Sequence, residues 1–336
     1  MSGHRANWFR NLHEAYNRQG KSMGVITLQN EKHNSNLMDG IDLSLVASKL
    51  DALKLADKLH AKSRNTRFVI LDGETWLFHL FFTNIPIKIL FLRPFVSNST
   101  PKSALFFFFK RCIIQLLHFK QKLDYRFLSI PFYKPLTSPG RWVQDDLSTF
   151  DIDTSKFTKR NDLDLVKILI PGFISNRKSP RLILEAAVEL ESKIPGRFQF
   201  LFMGQIESDV KHLLQSANVG SIQFIDGYLD RSEYLRQIND ANFVLLLYKN
   251  RGASGVLLES LLLNTSLILK RDRIWSNLVK NSRGSIFPLL GKRCQISNFL
   301  INFTFQNRSP YRFDEPQGFK INPQDTSSLI RFIIGD

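Results

Sequence analysis

Lys167-Ile-Leu-Ile-Pro171-Gly-Phe-Ile-Ser-Asn-Arg177-Lys178-Ser179-Pro180-Arg-Leu-Ile-Leu-Glu-Ala186 carries one complete strand-loop-helix unit in twenty residues. The short apolar run ending at Pro171 has the length of a buried strand. Ser179 suits a helix cap, and Pro180 suits the first helical turn. The same alternation continues downstream. A strand Phe198–Met203 is closed by Gly204, a helix follows over Asp209–Ala217, and Ile222–Ile225 leads into Asp226-Gly227. Asp230-Arg-Ser-Glu233 has the form of a capping box ahead of a helix to about Ile238. Phe243–Tyr248 is apolar enough for a strand buried on both faces, and Ser266–Lys270 forms the next one. Between them a polar loop, Lys249–Ala253, leads into a helix from Ser254 to Leu263, with Asn264 as a left-handed stop. Strands alternating with helices at this pace make a parallel α/β sheet. In such sheets ligands sit beyond the carboxyl ends of the strands, so the loops 172–178, 204–206 and 249–254 are expected along one edge.

Those loops suit a nucleotide diphosphate. Ser254 and Gly255 stand at a helix start, where unpaired amides and the helix dipole attract phosphate. Arg177 and Lys178 end the first loop and supply neutralising charge, Gly255 allows close backbone approach, and Gly204, closing its strand, is a further donor-binding candidate. Glu259 lies one turn into the Ser254 helix, placed to accept hydrogen bonds from ribose hydroxyls. The competing reading of each is structural: a helix cap at Ser254-Gly255, a solvated lysine at 178, a paired carboxylate at 259.

At these residues the sequence resembles the group 1 (family 4-like) retaining glycosyltransferases of the GT-B fold. The stretch Gly172–Ala186 is similar to that family's glycine, basic residue, lysine and Leu-Glu-Ala helix. Ile222–Gly227, Asp230–Glu233 and Asp240–Tyr248 come next in the family's order, and Ser254–Glu259 resembles the motif whose closing glutamate holds the donor ribose. The resemblance implies two Rossmann-like domains with parallel sheets facing a cleft. One is an acceptor-side unit over 1–150 and the other a donor-binding unit over 151–336. It implies a hexosyltransferase-type enzyme that moves a sugar from a nucleotide diphosphate donor to a glycan or lipid-linked acceptor hydroxyl, with no metal or other cofactor. Two positions depart from the family. Arg251 stands where another glutamate often contacts the donor sugar, and Phe173 replaces an arginine. These departures keep a second reading open, a catalytically impaired homologue acting as a binding or partner subunit. A nucleotide-sugar epimerase of the same fold is a third.

In the first half, Ser2-Gly3-His4-Arg5, a helix over Trp8–Arg18 and a strand over Met23–Leu28 resemble the family's phosphate-facing loop with its next helix and second strand. That loop begins at Met1, so the sheet's usual first, central strand has no residues here. The expectation is a late start codon or an incomplete sheet. Downstream the pattern predicts a helix over Leu43–Lys62 and strands over Arg67–Leu71 and Ile85–Leu92. Asp72, Glu74 and His79 come after a strand end and join Gly3 and His4 as cleft candidates; the competing reading is solvated loop acids and a packed histidine.

Of 336 residues, 46 are Lys or Arg and 30 are Asp or Glu, a net charge of +16. Residues 1–150 hold 21 basic and 11 acidic side chains, so the excess sits mainly in the first half. Such charge points to phosphorylated substrates, an anionic membrane or nucleic acid. No recognition motif or aromatic-basic repeat supports nucleic acid. The apolar helix Ala104–Lys122 carries Lys110, Arg111, Lys120 and Lys122 and suits an anionic membrane surface where a lipid-linked acceptor is held. Its alternative is an ordinary core helix. The apolar stretches Trp76–Phe95 and Ala104–Phe119 are broken by charges, which argues against a spanning helix. Two cysteines, Cys112 and Cys294, give neither a disulfide framework nor a cysteine metal site. The expected location is cytoplasmic, peripheral at the inner face of the membrane.

Overall fold

The computed structural model describes residues 3–18, 20, 22–28, 42–64, 66–71, 73–83, 85–91, 101–120, 123–128, 142–143, 152–158, 164–217, 219–248, 254–271, 286–289, 293–306 and 332. In the second half, six parallel strands form one sheet: β7 (Val166–Pro171), β8 (Phe198–Gly204), β9 (Ile222–Asp226), β10 (Phe243–Leu246), β11 (Ser266–Lys270) and β12 (Ile286–Leu289). Their spatial order is β12-β11-β10-β7-β8-β9, so the strand order reverses between β7 and β10.

Side chains alternate across this sheet, as the strand period of two requires. Ile168, Ile170, Phe200, Phe202 and Leu245 face one core, where α4 (Pro180–Lys193), α5 (Ser208–Ser216) and α8 (Arg293–Gln306) cover them. Leu169, Leu201, Met203, Val244 and Leu246 face the other, under α6 (Arg231–Asp240) and α7 (Gly255–Leu262). Both faces are covered, which is why the strands read as continuous apolar runs rather than alternating ones. Burying each such side chain contributes roughly 1.5–3 kcal/mol.

The first half is also parallel, but its strands fall into two sheets. β1 (Gly24–Leu28) pairs with β2 (Asp42–Val46). β3 (Phe68–Ile70), β4 (Ile87–Phe91), β5 (Leu123–Leu128) and β6 (Trp142–Val143) form the other, in that order. Among the described residues no strand joins β1 to β3, the place the family's first strand would take. Leu53 and Ala56 of α2 (Lys49–Lys62) pack into the core of the four-stranded sheet, together with Ile114 and Leu117 of α3 (Pro101–Phe119). Near the far end of the chain, Phe332 returns to this sheet. Its carbonyl accepts from Lys88 Nζ at 2.6 Å, and its ring centre lies 5.3 Å from the Lys88 ammonium and 5.0 Å from the Arg126 guanidinium.

Three local expectations differ from the structure. Residues 43–46 belong to β2, not to a helix running from Leu43. Leu43, Val46, Leu50 and Leu53 fit a helical spacing, but the ladder with β1 takes the first two, and Ser48 starts α2 by accepting from the Asp51 amide. The helix expected from Trp8 begins earlier, as α1 (Gly3–Arg18), so Gly3 and His4 sit in its first turn instead of a loop. Ser179 does not cap α4. Its backbone is left-handed (φ 55°) and its hydroxyl donates to the Leu247 carbonyl at 3.2 Å instead.

Candidate functional site

The site grows from the carboxyl end of β7. Gly172 turns with φ +86°, and the loop then runs beside the end of β8, Ile174 N–H donating to the Gln205 carbonyl at 2.8 Å. Ser175 accepts from the Arg177 amide and starts a short turn that sends Arg177 outward and Lys178 inward. Lys178 is 6% exposed, and its ammonium donates to the Pro171 carbonyl and lies 5.7 Å from the centre of the Tyr248 ring. Burial first, and the neighbouring Arg177 charge second, pull its pKa down to about 7. Among the described residues no carboxylate pairs with it. A buried ammonium with only a carbonyl and a ring for company lacks the counter-charge that normally offsets desolvation.

The Ser179 hydroxyl bond to Leu247 stitches this loop to the end of β10, the neighbouring strand across the order reversal. Tyr248 comes next, half-buried and hydrogen-bonded to Ser254, and desolvation raises its hydroxyl pKa. Ser254 caps α7, its hydroxyl accepting from the Leu257 amide, as the sequence predicts. A Cβ placed on Gly172 would stand 3.3 Å from Lys178 Nζ and 3.8 Å from a Val256 methyl. The loop after β7 therefore runs close to the first turn of α7. Lys178, Ser254 and Gly255 are brought together at the switch point, where parallel sheets bind ligands.

Glu259 is 3% exposed. Arg231 Nη1 donates to its Oε1 at 2.6 Å, and the Tyr234 hydroxyl donates to its Oε2 at 3.1 Å. Burial, then the Glu259 charge, push the Tyr234 pKa well up, so the hydroxyl stays a donor. Gly204 has a packing reason of its own: with φ +128°, a Cβ there would meet the Gly172 carbonyl oxygen at 2.5 Å. Arg251 and Asp72 lie outside the described residues. Glu74 belongs to a short turn after β3, and Gly3 and His4 to α1, all in the first half. Tyr248, Arg231 and Tyr234 do not stand out in the sequence. The signal for the last two is a glutamate on an apolar helix, which needs partners from a neighbouring element. Among the described residues no group of three His, Cys, Asp or Glu side chains stands together, and no helix is long and apolar enough to cross a membrane.

No family model matches the chain, and no curated protein does. Solved structures do. WaaG, a glycosyltransferase involved in lipopolysaccharide biosynthesis, is similar over 100% of this chain and 97% of its own, at 13% identity and a TM-score of 0.61. S. aureus MnaA in complex with UDP matches over 98% of this chain and 93% of its own, at 12% identity and 0.63. The lipopolysaccharide outer core galactosyltransferase WaaB matches over 99% and 96%, at 11% and 0.61. At such identities the likeness concerns architecture, and it spans both halves. The chain has the GT-B fold of the glycosyltransferases, two parallel α/β units, as the motif order of residues 172–259 implies.

Proposed function

We propose that the chain is a retaining glycosyltransferase that moves a sugar from a nucleotide diphosphate donor to a glycan or lipid-linked acceptor hydroxyl. The observation that carries this is Lys178, a buried ammonium without a carboxylate partner among the described residues, set beside the first turn of α7 at the switch point. A diphosphate there supplies the missing counter-charge. The α7 amides at Gly255 and Val256 and the exposed Arg177 complete the anion site, and Glu259 lies one turn further along the same helix. Charge builds on the diphosphate as the sugar leaves, so fixed donors aimed at it lower the barrier without reorganising. Holding the acceptor against the donor supplies the rest. In this reading Lys178 and the helix amides do the work of a cation, and no metal ion is needed.

The acceptor side is proposed to meet an anionic membrane through α3. Phe109, Leu116 and Phe119 lie along one exposed stripe of that helix, Phe119 at 86%, with Lys120 beside them. Lys110 takes no part in the surface. It is buried with its ammonium 5.3 Å from the centre of the Phe91 ring. A location at the inner face of the membrane accords with this reading.

A second reading, a binding or partner subunit without turnover, is favoured by Arg251 and Phe173, which stand where the family often has a glutamate and an arginine. One assay separates the readings. The purified chain is incubated with labelled UDP-, GDP- and ADP-sugars and lipid extract. Label in a new glycan or lipid together with released nucleoside diphosphate supports transfer. An isomerised free nucleotide sugar indicates an epimerase, and nucleotide binding without product indicates the partner subunit.

A further inference from the structure

The Arg231–Glu259 pair is the most buried ion pair among the described residues, with side chains 12% and 4% exposed. Stability alone is a poor reason for it. Desolvating two charges costs about as much as their attraction returns, so apolar residues of like volume serve as well. Arg231 also sits in the first turn of α6, where the helix dipole disfavours a cation. What the arrangement does achieve is orientation. Arg231 holds one carboxylate oxygen and Tyr234 the other, which fixes the plane of the group, and the guanidinium lies 5.8 Å from the centre of the Tyr234 ring. Gly255 and Glu259 are four residues apart, so they share a helix face with a rise of about 6 Å between them. That offset matches a phosphate at the helix start and a sugar ring one ester linkage away.

We propose that Arg231 and Tyr234 are positioning residues that hold the Glu259 carboxylate in the orientation in which it reads the 2′ and 3′ hydroxyls of a nucleoside diphosphate. This rests on the donor-site reading above and assigns ribose discrimination to α6, an element that reading leaves out. Hydrogen bonds from hydroxyls to a fixed carboxylate are charge-assisted, and they discriminate because a ligand without them leaves a buried charge less well solvated.

The test compares two affinities. Whichever of UDP, GDP and ADP binds best is titrated calorimetrically against the wild type, Arg231→Met and Tyr234→Phe, alongside its 2′,3′-dideoxy counterpart. Tyr234→Phe removes one oxygen and keeps the ring, so it remains informative if Arg231→Met folds poorly. The wild type is expected to prefer the ribonucleotide by about tenfold or more, the worth of one to two charge-assisted hydrogen bonds. Each variant should bring the ratio toward one while retaining dideoxynucleotide binding. Variants that keep the full ratio overturn the proposal and leave the pair a structural link between α6 and α7. A wild type that binds both ligands equally also overturns it, with the phosphate site intact. Binding of no nucleoside diphosphate overturns the donor reading itself.

Discussion

Replacing Lys178 by Met keeps most of the side-chain volume and removes the buried charge, and the consequence is set by pH. Lys178 falls from the usual 10.5 of a lysine to about 7 in the folded chain. Below pH 7 it is protonated both folded and unfolded, and the folded state bears the full cost of the buried charge. Between pH 7 and 10.5 the unfolded chain holds the proton while the folded chain has released it, so stability rises with pH. The slope is about 1.4 kcal/mol per pH unit and the full swing at most about 5 kcal/mol. Urea unfolding of both proteins at half-unit steps from about pH 6 to about pH 10 isolates this residue, because every other group titrates alike in the pair. Lys178→Met should be the more stable protein by a few kcal/mol at mildly acidic pH. Its advantage should shrink steadily as the pH approaches the ordinary lysine value. A difference that stays flat across that range refutes the argument, since it means the ammonium is not desolvated. The same physics predicts that binding a diphosphate at neutral pH takes up about half a proton, measurable by calorimetry in buffers of different ionisation heat.

Three further outcomes are expected. Gly204→Ala combines a backbone conformation that side chains rarely adopt with a contact of 2.5 Å to the Gly172 carbonyl, and should cost about 3 kcal/mol or more in urea unfolding. Gly220→Ala, its control, meets open space and should change stability by less than about 0.5 kcal/mol. Ser254→Ala loses the cap of α7 and should cost about 1 kcal/mol, with a measurable loss of nucleotide affinity because the same turn receives the phosphate. Phe119→Asp should weaken sedimentation with anionic vesicles and leave nucleotide binding unchanged, if α3 is the membrane face.

The donor half is legible in the sequence because its signals are local and repeated. Buried parallel strands are apolar throughout, their helices carry caps, and Asn264 takes the left-handed conformation (φ 52°) expected of a helix stop. The Ser254 cap rests on the same local chemistry. Local reading fails where a distant partner decides the outcome. Residues 43–46 fit a helical pattern until β1 is there to pair with them. The hydroxyl of Ser179 is claimed by Leu247, 68 positions away. Arg231 and Tyr234 stay hidden because the Asp230 cap, its carboxylate accepting from the Ser232 amide, explains the first turn of α6 without reference to α7. The need for glycine at 204 is also set by a distant neighbour, the Gly172 backbone beside it.

The central claim is that the edge at Lys178 and Gly255 binds a nucleoside diphosphate. A thermal-shift titration of the purified chain with UDP, GDP, ADP and dTDP tests it most directly, with Glu259→Ala and Lys178→Met alongside. A ligand at about one hundred times its Kd adds about 2.7 kcal/mol of stability. A clear rise in Tm is expected with one of the four, reduced in both variants. A well-folded sample whose Tm moves with none of them contradicts it.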